Sequence, residues 1–368
     1  MNVFTAQHGP TQDPARRGPA ILSVETALPA HCYTQEEITA EFCRALGLTG
    51  SKARAAASIH GNSGISRRYL GLPLEKYEAI SGFTEANAIA IDVALELGEQ
   101  ALRSALDAAG VMADEVDALV FTSGSVLAVP SVDTMLAARL GFRRNVKRFP
   151  LFGLACSGGA AGIGRLHDYL HAWPDQVAVL LAVEPLSLTA QAHNFSMASI
   201  VGGGLFGDGA AAVVAAGAGH RLAGGAEKAR ISAGGSRLYP EVADITGSDI
   251  GSDGLSPVLR SDVPLVVEQY IPEAVGDFLA ECGLKTDDVA TWVCHPGGPK
   301  VLQAMQRGLG VPEEALRHSW ESLSEVGNLS GVSVLDILRR TLAASRPTMP
   351  AVLMAMGPGF SFDFALLS

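Results

Sequence analysis

The chain repeats itself. Residues 101–121 (ALRSALDAAGVMADEVDALVF) read as an amphipathic helix closed by Gly110, a polar turn at Ala113, Asp114 and Glu115, and an apolar strand. Residues 274–294 (AVGDFLAECGLKTDDVATWVC) follow the same order, with Gly283 closing the helix and Asp287 and Asp288 ahead of the strand. Gly110 to Val120 and Gly283 to Val293 are both ten steps. Downstream, Val120 to Cys156 spans 36 positions and Val293 to Asn328 spans 35; each interval ends in a run of small residues opening a helix, CSGGAAGIGRLHDYL and NLSGVSVLDILRR. An apolar strand follows each, VAVLLAV and AVLMAM. Any α/β chain alternates in this way, but three matched elements at near-equal offsets point to duplication. We therefore expect an α/β fold of two similar halves, 19–220 and 221–368, behind a polar tail at 1–18. The Gly/Ala-rich stretch at 215–225 is the natural joint, and a site at the junction would draw on both halves.

Composition narrows the classes of function. Forty-one glycines against six tyrosines and three tryptophans suit close-packed α/β layers better than an aromatic-rich sandwich. A formal net charge of −11 argues against nucleic acid and anionic membranes as partners. The most apolar run, 177–183, is bounded by Asp175 and Glu184 and is too short to span a bilayer. No basic stretch leads into an apolar segment near Met1, so a cytoplasmic location is expected. The five cysteines are odd in number and lack both CxxC and Cys/His spacing, so neither a disulfide framework nor a metal site is expected.

Three positions carry chemistry. Cys156 lies between a strand-like run and a helix start crowded with Ser157, Gly158 and Gly159, where unpaired amides favour a thiolate and a bulky acyl group can approach. The alternative is a small buried hydrophobe. His295 ends the second half's matching strand and is followed at once by Pro296, Gly297 and Gly298, at the strand end where α/β sheets place their sites. Asn328 stands at the start of the helix matching that of Cys156, and reads equally as an N-cap. If the halves are related by an approximate two-fold, the two helix starts face each other and the three side chains meet. A Cys/His pair would then form an ion-paired thiolate, and Asn with imidazolium would stabilise an enolate or oxyanion. His167 and His193 read as surface or satisfied core residues.

These residues resemble the type III polyketide synthases, the chalcone synthase-like branch of the thiolase superfamily. The resemblance runs from about Ile21 to the end and rests on the Cys156 segment, LFGDGAAA at 205–212, HPGGPKVL at 295–302, GNLSGVSVL at 327–335 and MGPGF at 356–360. It implies a five-layered αβαβα thiolase fold, a homodimer, and a triad of Cys156, His295 and Asn328. It also implies acyl-CoA and malonyl-CoA as substrates, with no cofactor and no metal. Phe206 matches a gating Phe between the CoA tunnel and the cavity, Thr122 and Val129 match cavity positions, and Gly357, Pro358, Gly359 and Phe360 form a further substrate-facing turn. Where plant members carry a second gating Phe, Pro257 stands in GLSPVLRSDVP. Only Lys52 and Arg54 are available near the CoA phosphate positions, Asn62 replacing a basic residue, and Arg67 and Arg68 read equally as structural ion-pair residues. A cavity relieved of one aromatic suits an aliphatic tail, so a long-chain acyl starter and alkylpyrone or alkylresorcinol products are expected. A ketoacyl-ACP synthase, which usually follows its Asn with an Arg-bearing run, and a non-catalytic acyl-CoA-binding homologue are the alternatives; here Leu329, Ser330 and Gly331 follow.

Overall fold

A computed structural model describes residues 18–189, 196–225, 228–251, 254–344 and 348–368. Thirteen strands and ten α-helices are assigned among them. The first half contains β1 (Ala20–Ala27), β2 (His31–Thr34), α1 (Gln35–Ala45), α2 (Gly50–Gly61), β3 (Arg67–Leu70), α3 (Phe83–Ala109), β4 (Ala118–Thr122), α4 (Val132–Leu140), β5 (Lys147–Leu151), α5 (Gly158–Ala172), β6 (Val177–Pro185), α6 (Met197–Gly203) and β7 (Asp208–Ala216). The second contains β8 (Ile231–Leu238), β9 (Thr246–Gly251), β10 (Gly254–Leu259), α7 (Val263–Glu281), β11 (Thr291–Cys294), α8 (Pro299–Leu309), α9 (Arg317–Val326), α10 (Ser333–Ala343), β12 (Ala351–Gly357) and β13 (Ser361–Leu367).

The duplication read from the sequence is visible in the sheets. One sheet has the order β1-β7-β6-β4-β5 and the other β11-β12-β13-β8. In each, the strand before the polar-turn motif's long connection runs parallel to its inner neighbour (β4 to β6, β11 to β12), and the two remaining strands are antiparallel. The first sheet adds β5 at its free edge, parallel to β4. Gly110 closes α3 in the left-handed conformation, as its lack of a Cβ allows.

Period-two patterning sorts the strands' side chains into two cores. Along β6, Ala178, Leu180 and Ala182 face the middle of the molecule, while Val177, Val179, Leu181 and Val183 face α3. Along β12, Ala351, Leu353 and Ala355 share that middle core, and Val352, Met354 and Met356 pack against α7 and α8. Helices α5 and α10 lie between the sheets, contributing Ile163, Leu166, Leu335 and Leu338 to the central core. The order α3, sheet, α5 with α10, sheet, α7 with α8 is the expected five layers. Both strands feeding the site are covered on two faces, which explains their unbroken apolar runs.

Candidate active site

Cys156 sits in a single 3-10 turn, Ala155–Ser157, that feeds directly into α5. The preceding Ala155 has φ 39°, a left-handed conformation that costs free energy for a residue with a Cβ. Its counterpart in the second half is Ser330, φ 52°, which opens the turn Ser330–Val332 ahead of α10. The two turns meet backbone to backbone. A Cβ at Gly159 would lie 2.2 Å from the Gly331 carbonyl oxygen, and one at Gly331 would lie 2.9 Å from that of Ala155. Gly331 is thus the positional equivalent of Cys156. Asn328 comes three residues earlier, which corrects the expectation that it opens the matching helix, although the facing of the two helix starts holds.

Asn328 is fixed by its backbone. Its N–H donates to the Leu205 carbonyl at 2.9 Å and its carbonyl accepts from the Gly207 N–H at 3.0 Å, forming a bridge with Phe206. Its Oδ1 accepts from the Ser330 N–H at 2.8 Å, so among the described residues the side-chain Nδ2 retains its protons for another acceptor. The Ser330 hydroxyl reaches the Cys156 sulfur. Cys156 and Asn328 are therefore joined through one residue, across the two halves.

His295 follows β11, its N–H donating to the Met354 carbonyl at 2.9 Å. The residue is 1% exposed, yet neither Nδ1 nor Nε2 has a partner. A buried imidazole with both nitrogens unpaired is costly unless a ligand completes it. The turn after it approaches Leu205, since a Cβ at Gly298 would lie 3.6 Å from Leu205 Cδ1, and Leu205 is the residue that holds Asn328.

Burial works against the charged forms that an ion pair would need. Cys156 is half-buried, and desolvation pushes its thiol up to about 12, with the Glu184 carboxylate adding to the rise and the Ser330 hydroxyl opposing it. Desolvation takes His295 down to about 3. Burial thus drives both the Cys156 thiol and the His295 imidazole toward their neutral forms in the ligand-free chain.

Glu184, at the end of β6, is a member of this site that sequence reasoning used only as a strand boundary. It is fully buried, accepting from the Gly124 N–H at 3.0 Å, the Ser125 hydroxyl at 2.6 Å and the Ser330 hydroxyl at 3.2 Å. Desolvation raises it to about 7 despite those bonds. A carboxylic acid closing an all-apolar strand was the available signal.

The other expected residues divide. Thr122 ends β4 against the nucleophile turn: a Cβ at Gly158 would lie 2.4 Å from its Oγ1, which is buried and unpartnered. Gly357 backs onto the same turn, 2.5 Å separating its would-be Cβ from the Leu154 carbonyl oxygen. Phe206 and Pro257 flank Gly202, whose Cβ would meet them at 3.2 Å and 3.8 Å. Pro358 and Gly359 are half-buried in the turn between β12 and β13. Phe360 does not face a substrate space; it is fully buried among Tyr239, Tyr270 and Phe362, because its apolar ring completes the core behind α7. Val129 is 101% exposed on the loop before α4, so it lines no cavity of its own chain. Lys52 and Arg54 are exposed on the first turn of α2, Lys52 bordering a surface crevice of about 490 Å³ formed by residues 46–52. Arg68 is buried and, among the described residues, has no carboxylate within ion-pair distance; it is attracted by the more distant Asp208 carboxylate and its direct partners are neutral acceptors. His167 stacks on His171 at the surface of α5, and His193 lies outside the described residues.

Two family descriptions match the chain, the chalcone and stilbene synthase N-terminal domain over residues 9–219 and the corresponding C-terminal domain over residues 231–368. The chain belongs to this family of type III polyketide synthases. A 1,3,6,8-tetrahydroxynaphthalene synthase of Streptomyces peucetius subsp. caesius is 47% identical over 358 residues, covering 95% of this chain and 93% of the relative. A 3,5-dihydroxyphenylacetyl-CoA synthase of Streptomyces toyocaensis is 30% identical over 374 residues, covering 99% and 93%. Among solved structures, the tetrahydroxynaphthalene synthase of Streptomyces coelicolor A3(2) superposes with a TM-score of 0.87 at 28% identity, covering 95% of this chain and 98% of that one. The synthase is thus a decarboxylating, condensing acyltransferase with the thiolase fold, acting on CoA thioesters without a further cofactor. No described helix is long and apolar enough to cross a membrane.

Proposed function

We propose that this synthase assembles a tetrahydroxynaphthalene-type product from malonyl-CoA alone, with Cys156 as nucleophile and His295 and Asn328 as the groups that move the proton and hold the developing oxyanion. The observation that carries the product is the 47% identity to a tetrahydroxynaphthalene synthase over 95% of the chain. A 1,3,6,8-tetrahydroxynaphthalene skeleton is ten carbons with oxygen on alternate positions, which is five two-carbon units with no other starter.

The steps start from the neutral forms that burial favours. The Cys156 proton passes to His295 as Sγ attacks the thioester carbonyl; the tetrahedral oxyanion collapses, and the CoA sulfur leaves with the proton from the imidazolium. A second malonyl thioester then loses carbon dioxide. The electron pair of the broken C–C bond becomes an enolate, whose oxygen accepts hydrogen bonds from Asn328 Nδ2 and His295. The enolate carbon attacks the acyl-enzyme, a C–C bond forms, and Sγ is expelled. The unpaired imidazole nitrogens support this reading, since each needs a partner to complete it, and Asn328 Nδ2 keeps its protons to offer one.

The second reading is the long-chain starter with alkylpyrone or alkylresorcinol products. It is favoured by Pro257, a small ring beside Phe206 where a second aromatic would narrow the space. The enzyme acts as a cytoplasmic homodimer in either case: β5 is a free sheet edge, and Phe149 on it and Phe152 just beyond are 39% and 53% exposed, with Val129 fully exposed. A partner copy would cover these groups.

Purified protein incubated with labelled malonyl-CoA, alone and with acetyl-, palmitoyl- or coumaroyl-CoA, and analysed by mass spectrometry tests the proposal. A naphthol from malonyl-CoA alone supports it. Product appearing only when palmitoyl-CoA is added would overturn it in favour of the second reading, and undiminished product from Cys156→Ala would overturn the site assignment.

A further inference from the structure

Arg68, on β3, is 2% exposed and has no carboxylate within ion-pair distance among the described residues. Burying a guanidinium is expensive; the buried Asp208 carboxylate attracts it from beyond ion-pair distance, and direct hydrogen bonding supplies the rest of the compensation. Here the fork is filled by neutral acceptors. Nε donates to Gln35 Oε1 at 3.0 Å, Nη1 to the Phe206 carbonyl at 2.6 Å, and Nη2 to the Gly203 carbonyl at 2.8 Å. Gln35 and His60 continue the same grip, reaching the Gly204 carbonyl at 2.6 Å and the Ile200 carbonyl at 2.9 Å. Four carbonyls at the end of α6 and in the segment up to Phe206 are therefore held from one side by three buried polar side chains.

The stem of Arg68 does a second job. Gly327 has φ 77°, and a Cβ there would lie 3.0 Å from both Cγ and Cδ of Arg68 and 2.9 Å from the Leu205 carbonyl oxygen. The residue immediately after is Asn328, whose backbone is bonded to Leu205 and Gly207 on either side of Phe206. One side chain thus fixes the Phe206 segment of the first half with its head and presses on the Asn328 turn of the second half with its stem.

We propose that Arg68 is a positioning residue that sets where the Asn328 amide stands relative to Cys156, by clamping the 203–206 segment on which Asn328 is hung. This rests on the condensing role proposed for Asn328. Lys at position 68 retains the charge but lacks the planar fork, so it cannot hold Gln35, Gly203 and Phe206 together.

The test is a double-mutant cycle with Arg68→Lys and Asn328→Ala, read by malonyl-CoA decarboxylation and condensation. Arg68→Gln serves as a second variant. Misplacement on the scale of an ångström costs about ten- to a hundred-fold in turnover, so Arg68→Lys is expected to lower kcat by about that factor with KM little changed. The same substitution in the Asn328→Ala background is expected to cost less than about two-fold, because the group being positioned is gone. Alkylation of Cys156 by iodoacetamide is expected to stay at the wild-type rate, reporting an intact nucleophile turn. Equal losses in both backgrounds, or a loss matched by slowed alkylation and a lowered melting point, would overturn the proposal and leave Arg68 a structural residue. Wild-type turnover by Asn328→Ala alone would instead refute the role of Asn328, a distinguishable result.

Discussion

Glu184→Gln is the substitution whose consequence follows most directly from the structure. The carboxyl is fully buried, and desolvation raises it from 4.5 to about 7 while four donors, the Ser125 and Ser330 hydroxyls and the Gly124 and Gly331 amides, oppose the rise. A raised carboxyl means that the folded chain binds its proton more tightly than the unfolded one. The resulting stability is fully present below the unfolded value of 4.5, declines as pH rises between 4.5 and about 7, and is gone above that. The gap corresponds to about 3 kcal/mol, at roughly 1.36 kcal/mol for each pH unit, most of which falls between about pH 5 and about pH 8. Gln is nearly the same shape and cannot ionise. Asp208, raised to about 6, contributes in the same direction, and His60 and His295, lowered to about 4 and about 3, contribute oppositely, so the wild-type profile alone is not diagnostic. All three are common to both proteins and cancel in the difference. Urea unfolding of the two proteins at a fixed concentration, across this pH range, should give a Gln-minus-wild-type difference that grows by about 2–3 kcal/mol toward alkaline pH. Iodoacetamide should also label Cys156 faster in the variant at about pH 8, since the carboxylate that raises the thiol is absent. Unfolding differences independent of pH would refute the buried-acid reasoning.

Three other substitutions probe the contacts around the nucleophile. Gly159→Ala puts a methyl 2.2 Å from the Gly331 carbonyl oxygen and should cost at least about 2 kcal/mol in chemical denaturation and abolish product, because neither backbone can yield without moving the two turns. Thr122→Val removes a buried hydroxyl without a partner and should stabilise the ligand-free protein by about 1 kcal/mol; a stability unchanged or lowered would mean that the hydroxyl is satisfied in solution. Pro257→Phe adds a ring beside Gly202 and Phe206 and should shorten the longest acyl-CoA starter accepted in a chain-length panel; an unaltered profile would remove Pro257 from the cavity wall.

Local pattern was enough for much of this protein. The repeated helix, polar turn and strand, the apolar runs of β6 and β12, and the small residues at the start of α5 follow from period and composition, which act over neighbours in the chain. They led to the α/β class and singled out Cys156, His295 and Asn328 as candidates, and the family motifs carried the activity.

What tertiary structure alone decided concerns the sign of interactions across the junction. Cys156 reads as an activated thiolate when only its helix is considered, yet water lost from around the sulfur on packing pushes its thiol pKa up. Arg68 reads as a structural ion-pair residue, yet with β3 folded against α6 its direct acceptors are the Gln35 side chain and the Gly203 and Phe206 carbonyls. Phe360 turned into the core and Val129 out to solvent although both lie in motif-bearing loops. Desolvation and close backbone approach depend on atoms far apart in the chain, as the meeting of Gly159 with Gly331 illustrates, and no local window of sequence contains both partners.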